Sequence, residues 1–314
     1  MARFLVTGGA GFIGSHLVAE LLRRGETVGV LDNLSTGQRR NLDFCEGQVE
    51  WYEGDVNDPE LLVRALAGVE VVFHQAALPS VPVSIENPLA THTACASGTL
   101  QLLDQARRSG VRRLVYAASS SLYGEQPHMS NRETDVPAPQ SPYAVAKLAA
   151  EYYCHAFYHC FGLETVCLRY FNVFGPRQDP QSPYSAVIPL FITALLDGRA
   201  PTVFGDGLQS RDFTYVGNVV HGNLLAAEAT GAAGKSFNLA EGGRITLLDL
   251  VAALNRHLGT DLQPVHAAPR TGDIRDSSAD ITLAREVLHY EPQVSFEEGL
   301  RRSIDYYRQQ VEST

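Results

Sequence analysis

The sequence has no apolar run that approaches the ~20 residues needed to cross a bilayer. No basic segment followed by a short apolar stretch, the pattern of a secretory signal peptide, precedes the first predicted strand. Cysteine is scarce: the five residues at positions 45, 95, 154, 160 and 167 are odd in number and match no CxxC or zinc-ligand spacing. We therefore expect a soluble protein whose thiols are reduced, as in the cytoplasm.

Positive charge is also in short supply. Lys and Arg number 25 against 35 Asp and Glu, which gives a formal net charge of −10. An acidic surface attracts neither nucleic acid nor an anionic membrane, so we expect neither as a main partner, although a small basic pocket for a phosphate is compatible with this charge. A hydrophobic content of 45% and a mean hydropathy of −0.09 are typical of a globular protein.

What the sequence does contain is an alternation of apolar runs and amphipathic segments over its first half. The segment FIGSHLVAELLRR is a predicted helix, because Phe12, Ile13, Leu17 and Leu21 recur at helical spacing. The predicted strands are RFLVTGG, TVGVLDN, VEWYEGD, VEVVFHQAA, RRLVYAASS and ETVCLRYF. Apolar strands that alternate with helices predict a parallel sheet covered on both faces, that is, an α/β fold with a Rossmann-type doubly wound sheet.

The composition changes after about residue 170, where Pro and Gly become frequent and the predicted strands become shorter. We predict a Rossmann domain over residues 1–170 and a smaller α/β domain over most of residues 171–314. The chain is expected to return to the first domain around residues 213–240. Because no linker is visible, the two parts should pack tightly.

A glycine-rich turn, TGGAGFIGS, joins the first predicted strand to the first predicted helix. Gly8, Gly11 and Gly14 let the backbone approach a pyrophosphate, and the helix start offers unpaired N–H groups. Asp32 ends the second strand, at the distance expected for an acid that binds a ribose and repels a 2′-phosphate. The sequence therefore predicts an NAD site. Asp55, in GDV, is either an adenine contact or a turn-capping aspartate.

A second constellation follows the fifth strand, which ends in AASSSLYG. The carboxyl ends of parallel strands face the ligand crevice, so Ser119, Ser120 and Ser121 are expected there. In SPYAVAK, Tyr143 and Lys147 are four residues apart and share one face of a predicted helix. A phenol with a pKa near ~10 is a poor base at neutral pH, but a neighbouring ammonium and an oxidised nicotinamide both favour the phenolate. These residues predict a tyrosine that accepts a proton, bridged to the substrate by Ser119.

Nearly the whole chain resembles the extended short-chain dehydrogenase/reductases, and within them the UDP-hexose 4-epimerases. The resemblance rests on TGGAGFIGS, LDNLSTG, GDV, HQAA, SVPVS, AASSSLYG, YAVAK, RYFNVFGPRQDP, GDGLQSRDFTYV and PRTGDIRDSSAD. It implies that Ser119, Tyr143 and Lys147 are catalytic and that Tyr143 takes the proton of the sugar C4 hydroxyl. It also implies that hydride passes from C4 to tightly bound NAD and then returns to the opposite face of the resulting 4-keto sugar.

The resemblance also implies two sets of binding residues. Besides the glycines and acids above, the cofactor set comprises Phe12, Ile13, Asn33, Ser35, Thr36, Gly37, Val56, Ala76, Ala77, Tyr143 and Lys147. The set for the UDP-sugar comprises Ser80, Ser84, Ser119, Ser120, Tyr143, Asn172, Val187, Arg211, Arg270, Asp273 and Ser277. Within it the two arginines resemble those that clamp the diphosphate, a task suited to guanidinium groups, and Asp273 resembles the acid that binds the uridine ribose. An Asx turn at Asn172 and turn-forming roles for Ser80 and Ser84 are the structural alternatives.

Position 277 bears on which sugars are accepted. Relatives restricted to plain hexoses carry a bulky tyrosine there, near the sugar C2 substituent, whereas this chain has Ser277. We therefore expect UDP-GlcNAc and UDP-GalNAc to be accepted as well as UDP-Glc and UDP-Gal.

A departure from many relatives is Cys95 in CASGT, where an asparagine is usual. A thiol is a weak hydrogen-bond partner, so an active-site water or the helix geometry should differ.

Two helices, near residues 88–108 and 143–161, resemble those that pair into a four-helix bundle, so a homodimer is expected. His155 and His159 are four residues apart, but no third ligand is visible and we predict no metal site. Three alternatives within the class are a uronate epimerase, a dehydratase and a decarboxylase. Elimination and decarboxylation need acidic groups just after the catalytic serine, where this chain has Ser120 and Ser121. A non-catalytic dinucleotide sensor is the alternative from another class, and it would not need to keep Tyr143 and Lys147.

Overall fold

The computed structural model describes residues 2–180, 186–269 and 275–312. In these ranges the strands are, in chain order, β1 Phe4–Thr7, β2 Val28–Asp32, β3 Val49–Glu53, β4 Val71–His74, β5 Arg113–Ser119, β6 Glu164–Tyr170, β7 Val173–Phe174, β8 Thr202–Phe204, β9 Ser210–Arg211, β10 Thr214–Tyr215, β11 Lys235–Leu239, β12 Ile245–Thr246, β13 Val265–Ala267 and β14 Asp276–Ser277.

The α-helices of the same ranges are α1 Phe12–Arg23, α2 Pro59–Ala65, α3 Val81–Glu86, α4 Pro88–His92, α5 Gly98–Arg108, α6 Pro142–Phe161, α7 Val187–Leu196, α8 Val216–Glu228, α9 Leu247–Leu258 and α10 Phe296–Glu312. Short 3₁₀ helices cover Arg39–Cys45 and Ser120–Tyr123, and π turns cover Thr93–Ser97 and Ala284–Leu288.

A parallel sheet in the order β11-β6-β5-β4-β1-β2-β3 forms the centre of the described chain. Strands β1, β2, β4 and β5 are almost wholly buried because helices cover both faces, which explains why their sequences are continuously apolar, whereas the edge strand β3 is partly exposed. The strand order reverses at β1, which pairs with β2 on one side and β4 on the other. The predicted α/β fold is confirmed, and such a reversal is where open α/β sheets bind ligands.

The C-terminal part of the chain contributes both to this sheet and to a separate core. Strand β11 pairs with β6 at the sheet edge, and α8 packs on α1. Helices α7, α9 and α10 surround a second core in which the rings of Phe174, Phe213 and Phe296 lie with centroids 5.8–6.4 Å apart. The boundary near residue 170 stays a prediction.

Local sequence chemistry sets the start of the helix that carries Tyr143 and Lys147. The Ser141 side chain accepts a hydrogen bond from the Ala144 N–H at 3.2 Å, and Pro142 occupies the first helical position. The helix ends at Gly162, which adopts φ 70. The predicted helix near 88–108 is interrupted: α4 and α5 are joined by the π turn at Thr93–Ser97.

A partly buried histidine, His16, and a fully buried one, His74, should make the stability of the fold depend on pH. His16 Nε2 lies 3.0 Å from the Pro176 carbonyl oxygen, and the His74 ring lies between the hydroxyls of Thr7 and Thr99 at 2.7 and 2.9 Å. Burial lowers the pKa of His16 to about 4 and that of His74 to about 3. Between these values and 6.5 the unfolded chain binds more protons than the folded chain, so stability falls as the pH is lowered through this window.

We expect acidification from about pH 7.5 to about pH 5 to cost ~2 kcal/mol of unfolding free energy for each of these histidines. Urea unfolding of wild type and of His16→Gln at both pH values measures the share of His16. The variant should lose ~2 kcal/mol of the pH dependence, whereas His159→Gln, which changes an exposed side chain, should keep all of it. An unchanged pH dependence in His16→Gln would contradict the assignment.

Candidate functional site

Three adjoining cavities lie along the carboxyl edge of the central sheet. The central cavity, of about 390 Å³, is lined by the glycine-rich turn and by the side chains of Ser119, Tyr143 and Lys147. It shares Thr36 and Ala77 with a cavity of about 340 Å³ beside Asp32, here called the Asp32 cavity. It shares Asn172, Val173 and Ala186 with a cavity of about 400 Å³ beside Arg211, here called the Arg211 cavity. The three together form one crevice along this edge of the sheet.

The glycine-rich turn needs its glycines for steric reasons. Gly8 has φ 68, and a Cβ there would lie 2.7 Å from the Ala76 backbone nitrogen. A Cβ on Gly14 would overlap the Gly8 carbonyl oxygen and lie 2.8 Å from the Gly9 Cα. Gly11 precedes α1 and faces the central cavity. The turn therefore brings bare backbone and the N-terminus of α1 to the cavity wall, where an anionic group can bind.

Asp32 organises the neighbouring end of β2. Its two carboxylate oxygens accept hydrogen bonds from the N–H groups of Ala10 at 2.9 Å and Leu34 at 2.8 Å. A Cβ on Gly37 would lie 2.9 Å from both oxygens, so this loop packs directly on the carboxylate. Burial raises the pKa of Asp32, and the two backbone N–H groups oppose this shift. The carboxylate also lines the Asp32 cavity, as a ribose-binding acid would.

The remaining residues of the predicted cofactor set surround these two features. Asp55 accepts from Asn57 N at 2.8 Å and from Asn33 Nδ2 at 2.7 Å, which is a turn-capping geometry, while it also lines the Asp32 cavity. An adenine contact for Asp55 stays a prediction. The other lining residues from the predicted set are Phe12, Ile13, Ser35, Thr36, Val56, Ala76 and Ala77.

The predicted catalytic residues meet in the central cavity. The Ser119 hydroxyl lies 2.9 Å from that of Ser121 at the end of β5. Lys147 is buried, its Nζ donates to the Ala117 carbonyl at 2.8 Å, and it lies 4.9 Å from the centre of the Tyr116 ring. Helix α6 therefore packs its lysine against the sheet and presents the ring of Tyr143 to the cavity.

The acidity of Tyr143 differs from the sequence-based expectation. Burial raises the pKa of its hydroxyl above the ordinary value, the nearby Cys95 thiol raises it further, and a hydrogen bond with Ser119 lowers it. Burial also lowers the pKa of Lys147. Because the Lys147 ammonium is directed at a backbone carbonyl, the lysine by itself does not bring the phenol into a useful range, and further positive charge at the cavity is needed.

Cys95 packs in the same small cluster as Tyr143. It sits in the π turn between α4 and α5, is 1% exposed, and shares a small cluster with Ala146 and Tyr143. Its carbonyl accepts a hydrogen bond from the Thr99 hydroxyl at 2.5 Å. The π turn interrupts the helix at this position, and a change of helix geometry or of an active-site water caused by Cys95 stays a prediction.

The predicted substrate residues fall into three groups. Asn172, Val187 and Arg211 line the Arg211 cavity, and Ser277 lies beside it on β14, whose register pairs Ser277 with Arg211. Arg270 and Asp273 lie outside the described residues. Asn172 has φ 31, and its Nδ2 donates to the Asp212 carbonyl at 3.4 Å.

The serines predicted to contact the sugar have local partners. The Ser80 side chain accepts from Val83 N at 3.3 Å and caps α3, and the Ser84 hydroxyl donates to the Val81 carbonyl at 2.7 Å. Ser84 is fully buried, and Ser120 begins a 3₁₀ helix. The turn-forming alternative has its geometry here, and sugar contact by these serines stays a prediction.

Sequence reasoning missed several residues that line the central cavity. Gln75 follows β4 and Tyr170 ends β6, and Gln75 Nε2 donates to the Tyr170 hydroxyl at 3.1 Å. The rule that strand ends face the ligand could have found both. No role was predicted for the other members, which lie in two separate segments of the chain: Gln38, Asn41, Arg177, Gln178 and Asp179. The last three belong to RYFNVFGPRQDP, a stretch that carried the family resemblance.

Two further surveys concern the described residues alone. No three His, Cys, Asp or Glu side chains of these ranges converge as a metal site requires; His155 instead lies 3.0 Å from the Ser236 hydroxyl. None of the described helices is both long and apolar enough to cross a membrane.

Comparison with known proteins identifies the family. Residues 4–240 match the model of the NAD dependent epimerase/dehydratase family. The chain is 39% identical over 311 residues to a UDP-glucose 4-epimerase of Mycolicibacterium smegmatis, covering 98% of each. Among solved structures, it resembles a UDP-glucose 4-epimerase of Thermotoga maritima with UDP-glucose, at 40% identity and a TM-score of 0.93, covering 98% of this chain and 99% of that one.

A UDP-N-acetylglucosamine 4-epimerase of Methanobrevibacter ruminantium in complex with UDP-N-acetylmuramic acid is also similar, at 38% identity and a TM-score of 0.93, with the same coverages. The family resemblance, the enzyme class and the NAD cofactor predicted from the sequence are thereby confirmed. With a glycine cradle, a ribose-type acid and a Ser-Tyr-Lys set along one crevice, this chain belongs to the NAD-dependent epimerase/dehydratase family.

Proposed function

We propose that this protein is a UDP-hexose 4-epimerase that interconverts UDP-Glc with UDP-Gal and UDP-GlcNAc with UDP-GalNAc. The observation that carries the proposal is that the Ser119 and Tyr143 side chains line the same cavity as the glycine-rich turn. That cavity continues into the Arg211 cavity, where a nucleotide sugar can extend. The sugar ring is therefore expected between the cofactor and the tyrosine.

The residues at the glycine-rich turn fit NAD. The glycine-rich turn, where a Cβ on Gly14 would clash with backbone atoms, leaves backbone N–H groups accessible to a pyrophosphate. The carboxylate of Asp32 suits a ribose whose two hydroxyls are both free. Bound NAD would supply the hydride acceptor and, in its oxidised form, a positive charge. The glycines, Asp32 and the loop up to Gly37 hold the cofactor in this proposal.

The protein groups then handle the proton and the orientation. Tyr143 takes the proton from the C4 hydroxyl, and Ser119 bridges the phenol and the sugar oxygen. Lys147, anchored on the Ala117 carbonyl, holds the tyrosine helix in register and adds positive charge beneath it. Since burial raises the pKa of Tyr143, its proton leaves only when that charge and the bound cofactor act together.

The substrate end provides cationic and apolar surface. We propose that Arg211 binds the diphosphate, that Asn172 contacts the sugar-diphosphate region, and that Val187 lines the nucleotide pocket, since all three line the Arg211 cavity. Arg270 and Asp273 are proposed as the second diphosphate arginine and the ribose acid from the family resemblance. A guanidinium suits the diphosphate because its planar donors match phosphate oxygens.

A panel of substrates tests the proposal. Purified protein is incubated separately with UDP-Glc, UDP-GlcNAc and UDP-GlcA, and the C4 stereoisomers are resolved by chromatography. We expect inversion of the first two without net change in NADH. Inversion of UDP-GlcA alone would replace the proposal with a uronate epimerase, which needs only a different contact at the sugar C6. Formation of a 4-keto-6-deoxy product would indicate a dehydratase, and formation of carbon dioxide would indicate a decarboxylase. A lack of turnover with all three sugars would indicate a non-catalytic sensor.

Substitution of Ser277 tests the expected sugar range. Ser277 is half-buried beside Arg211, and a tyrosine there is expected to occupy the space of an N-acetyl group. Ser277→Tyr should lower kcat/KM for UDP-GlcNAc by roughly 10- to 100-fold relative to UDP-Glc, as a lost pocket contact plus a steric clash does. Ser277→Ala is the matched control and should leave the ratio of kcat/KM for the two sugars unchanged. Ser278→Tyr would not serve, because the Ser278 hydroxyl forms a hydrogen bond with that of Ser130. Equal losses for both sugars would show that position 277 does not line the sugar pocket.

We also propose a homodimer formed through α4, α5 and α6. Along α6, the exposed side chains of Val145, Tyr152 and Tyr153 recur at helical spacing, and α4, which packs on α6, exposes Leu89. An apolar strip of this kind on a globular protein is a typical protein interface. Light scattering should give twice the chain mass, and Tyr152→Glu with Leu89→Glu should give the monomer mass. A monomeric wild type would overturn the dimer.

We propose a cytoplasmic location because the cysteines form no disulfide bonds with one another. All five cysteines are unpaired, and Cys160 alone among them is exposed. Reduced buried thiols are typical of proteins that fold in the cytoplasm. Fractionation of expressing cells should recover the protein with cytoplasmic markers, and recovery with a secreted fraction would contradict this.

A further inference from the structure

The segment 175–179 lines the central cavity with Arg177, Gln178 and Asp179 and is held from both sides. On the side of the Rossmann sheet, Pro176 O accepts from the His16 ring and Asp179 Oδ2 accepts from Gln38 Nε2 at 2.7 Å. On the side of the second core, the Tyr307 hydroxyl of α10 donates to the carbonyls of Gly175 and Gln178. The segment, here called the clasp, therefore ties the two cores together over the crevice.

Arg177, at the centre of the clasp, is conformationally and electrostatically unusual. Its backbone has φ 65, a left-handed conformation that costs free energy in a residue with a Cβ. Its guanidinium lies 4.7 Å from the centre of the Phe44 ring and donates one hydrogen bond, to the Ser15 carbonyl at 3.1 Å. Burial lowers the pKa of Arg177. No Asp or Glu of the described residues pairs with it.

Such a partly buried cation with neutral neighbours is costly unless an anion binds it. A guanidinium has five N–H donors, and the protein contacts above account for one. Arg177 lines the central cavity together with Gly11 and Phe12, which open the anion-binding N-terminus of α1. It does not line the Arg211 cavity, where the diphosphate of the sugar nucleotide is proposed. The nearest anion that these positions can serve is the pyrophosphate of the dinucleotide.

We propose that Arg177 binds the cofactor pyrophosphate and that the clasp retains NAD between turnovers. The inference rests on the proposed cofactor position, but not on epimerase activity. A bidentate guanidinium opposite the glycine-rich turn closes the pyrophosphate between two donor surfaces. Release of NAD then requires the contacts of the clasp to open. The Arg177 side chain reaches α1, where it donates to the Ser15 carbonyl.

The test is exchange of bound NAD, measured without any sugar. Holoenzyme is mixed with isotopically labelled NAD, and the bound label is followed over time. Arg177→Gly is the main variant, because glycine relieves the φ 65 strain and keeps the fold while it removes the guanidinium. We expect exchange roughly 10- to 100-fold faster than in wild type, the range for loss of a charge-assisted hydrogen bond. Arg177→Lys, which keeps the charge but not the planar donors, should fall between the two.

Two further variants sharpen the result. Arg199→Ala removes an exposed arginine that pairs with Asp197 and should leave exchange unchanged. Tyr307→Phe removes the hydroxyl that anchors the clasp and leaves Arg177 in place, and it should accelerate exchange by a smaller factor. Wild-type exchange rates in Arg177→Gly would overturn the proposal. So would a raised KM for the UDP-sugar with unaltered NAD exchange, which would assign Arg177 to the substrate. Because exchange is read without turnover, a chain inactive as an epimerase still gives a decisive answer.

Discussion

Tyr143→Phe is expected to lower the epimerisation rate by roughly 10²- to 10⁴-fold, the contribution of a positioned proton acceptor. The phenyl ring fills the same space in the central cavity but has no hydroxyl to take the proton of the sugar C4–OH. Bound NAD should be retained, because the glycine-rich turn and Asp32 are untouched. The measurements are kcat for each accepted UDP-sugar and the NAD content of the purified variant by mass spectrometry.

Tyr153→Phe is the matched control, since Tyr153 lies on the same helix but is exposed. It should keep wild-type turnover. If Tyr143→Phe turned over at the wild-type rate, Tyr143 would have no part in the mechanism. If the Tyr143→Phe variant lost NAD as well as activity, the Tyr143 hydroxyl would be needed to bind the cofactor, and the loss of activity would not show that it accepts a proton.

Gly14→Ala is expected to abolish stable NAD binding. The new Cβ would overlap the Gly8 carbonyl oxygen and approach the Gly9 Cα to 2.8 Å, and both are backbone atoms that cannot move without opening the turn. Helix α1 must then shift away from β1, which removes the close packing that places its N-terminus at the pyrophosphate. Overpacking of this kind costs ~1–3 kcal/mol of unfolding free energy. The NAD content of the purified variant and its urea unfolding curve measure the two effects.

Gly243→Ala provides the control for the added methyl group. Nothing lies within 4 Å of a Cβ at Gly243, and no left-handed φ is needed there. This variant should keep full NAD content and stability. A Gly14→Ala protein that purifies with full NAD would show that the turn tolerates a side chain and that the glycine is not needed for close approach.

Much of the fold followed from short stretches of sequence. All six predicted strands of the first half are present in the sheet, and most of them are continuous apolar runs of the kind typical of strands buried on both faces of a parallel sheet. The helix start at Ser141-Pro142 was equally local, since the cap and the fixed φ of proline act within one turn. The interruption at Thr93–Ser97 was missed, because a π turn leaves the helical periodicity almost unchanged.

The acidity of the site shows where local reasoning stopped. The four-residue spacing of Tyr143 and Lys147 predicted that both face one cavity, and the predicted acidity of the phenol rested on the Lys147 ammonium together with oxidised nicotinamide. In the folded chain the ammonium instead meets the Ala117 carbonyl, thirty residues earlier in the sequence, and burial dominates the pKa of the tyrosine. Desolvation depends on everything packed around a group, so spacing within one helix cannot reveal it.

The sequence by itself determined the α/β class, the glycine-rich turn, the acid at Asp32 and the Ser-Tyr-Lys set, because each depends on backbone conformations and spacings within a few residues. Only the tertiary structure decided that Ser80 and Ser84 form hydrogen bonds within their own helix, that Cys95 packs near Tyr143, and that Arg177 reaches the central cavity. Arg177 meets Ser15 and Phe44 across more than 130 residues of chain. Such contacts arise from long-range packing of the two cores, for which no local pattern in the sequence carries a signal.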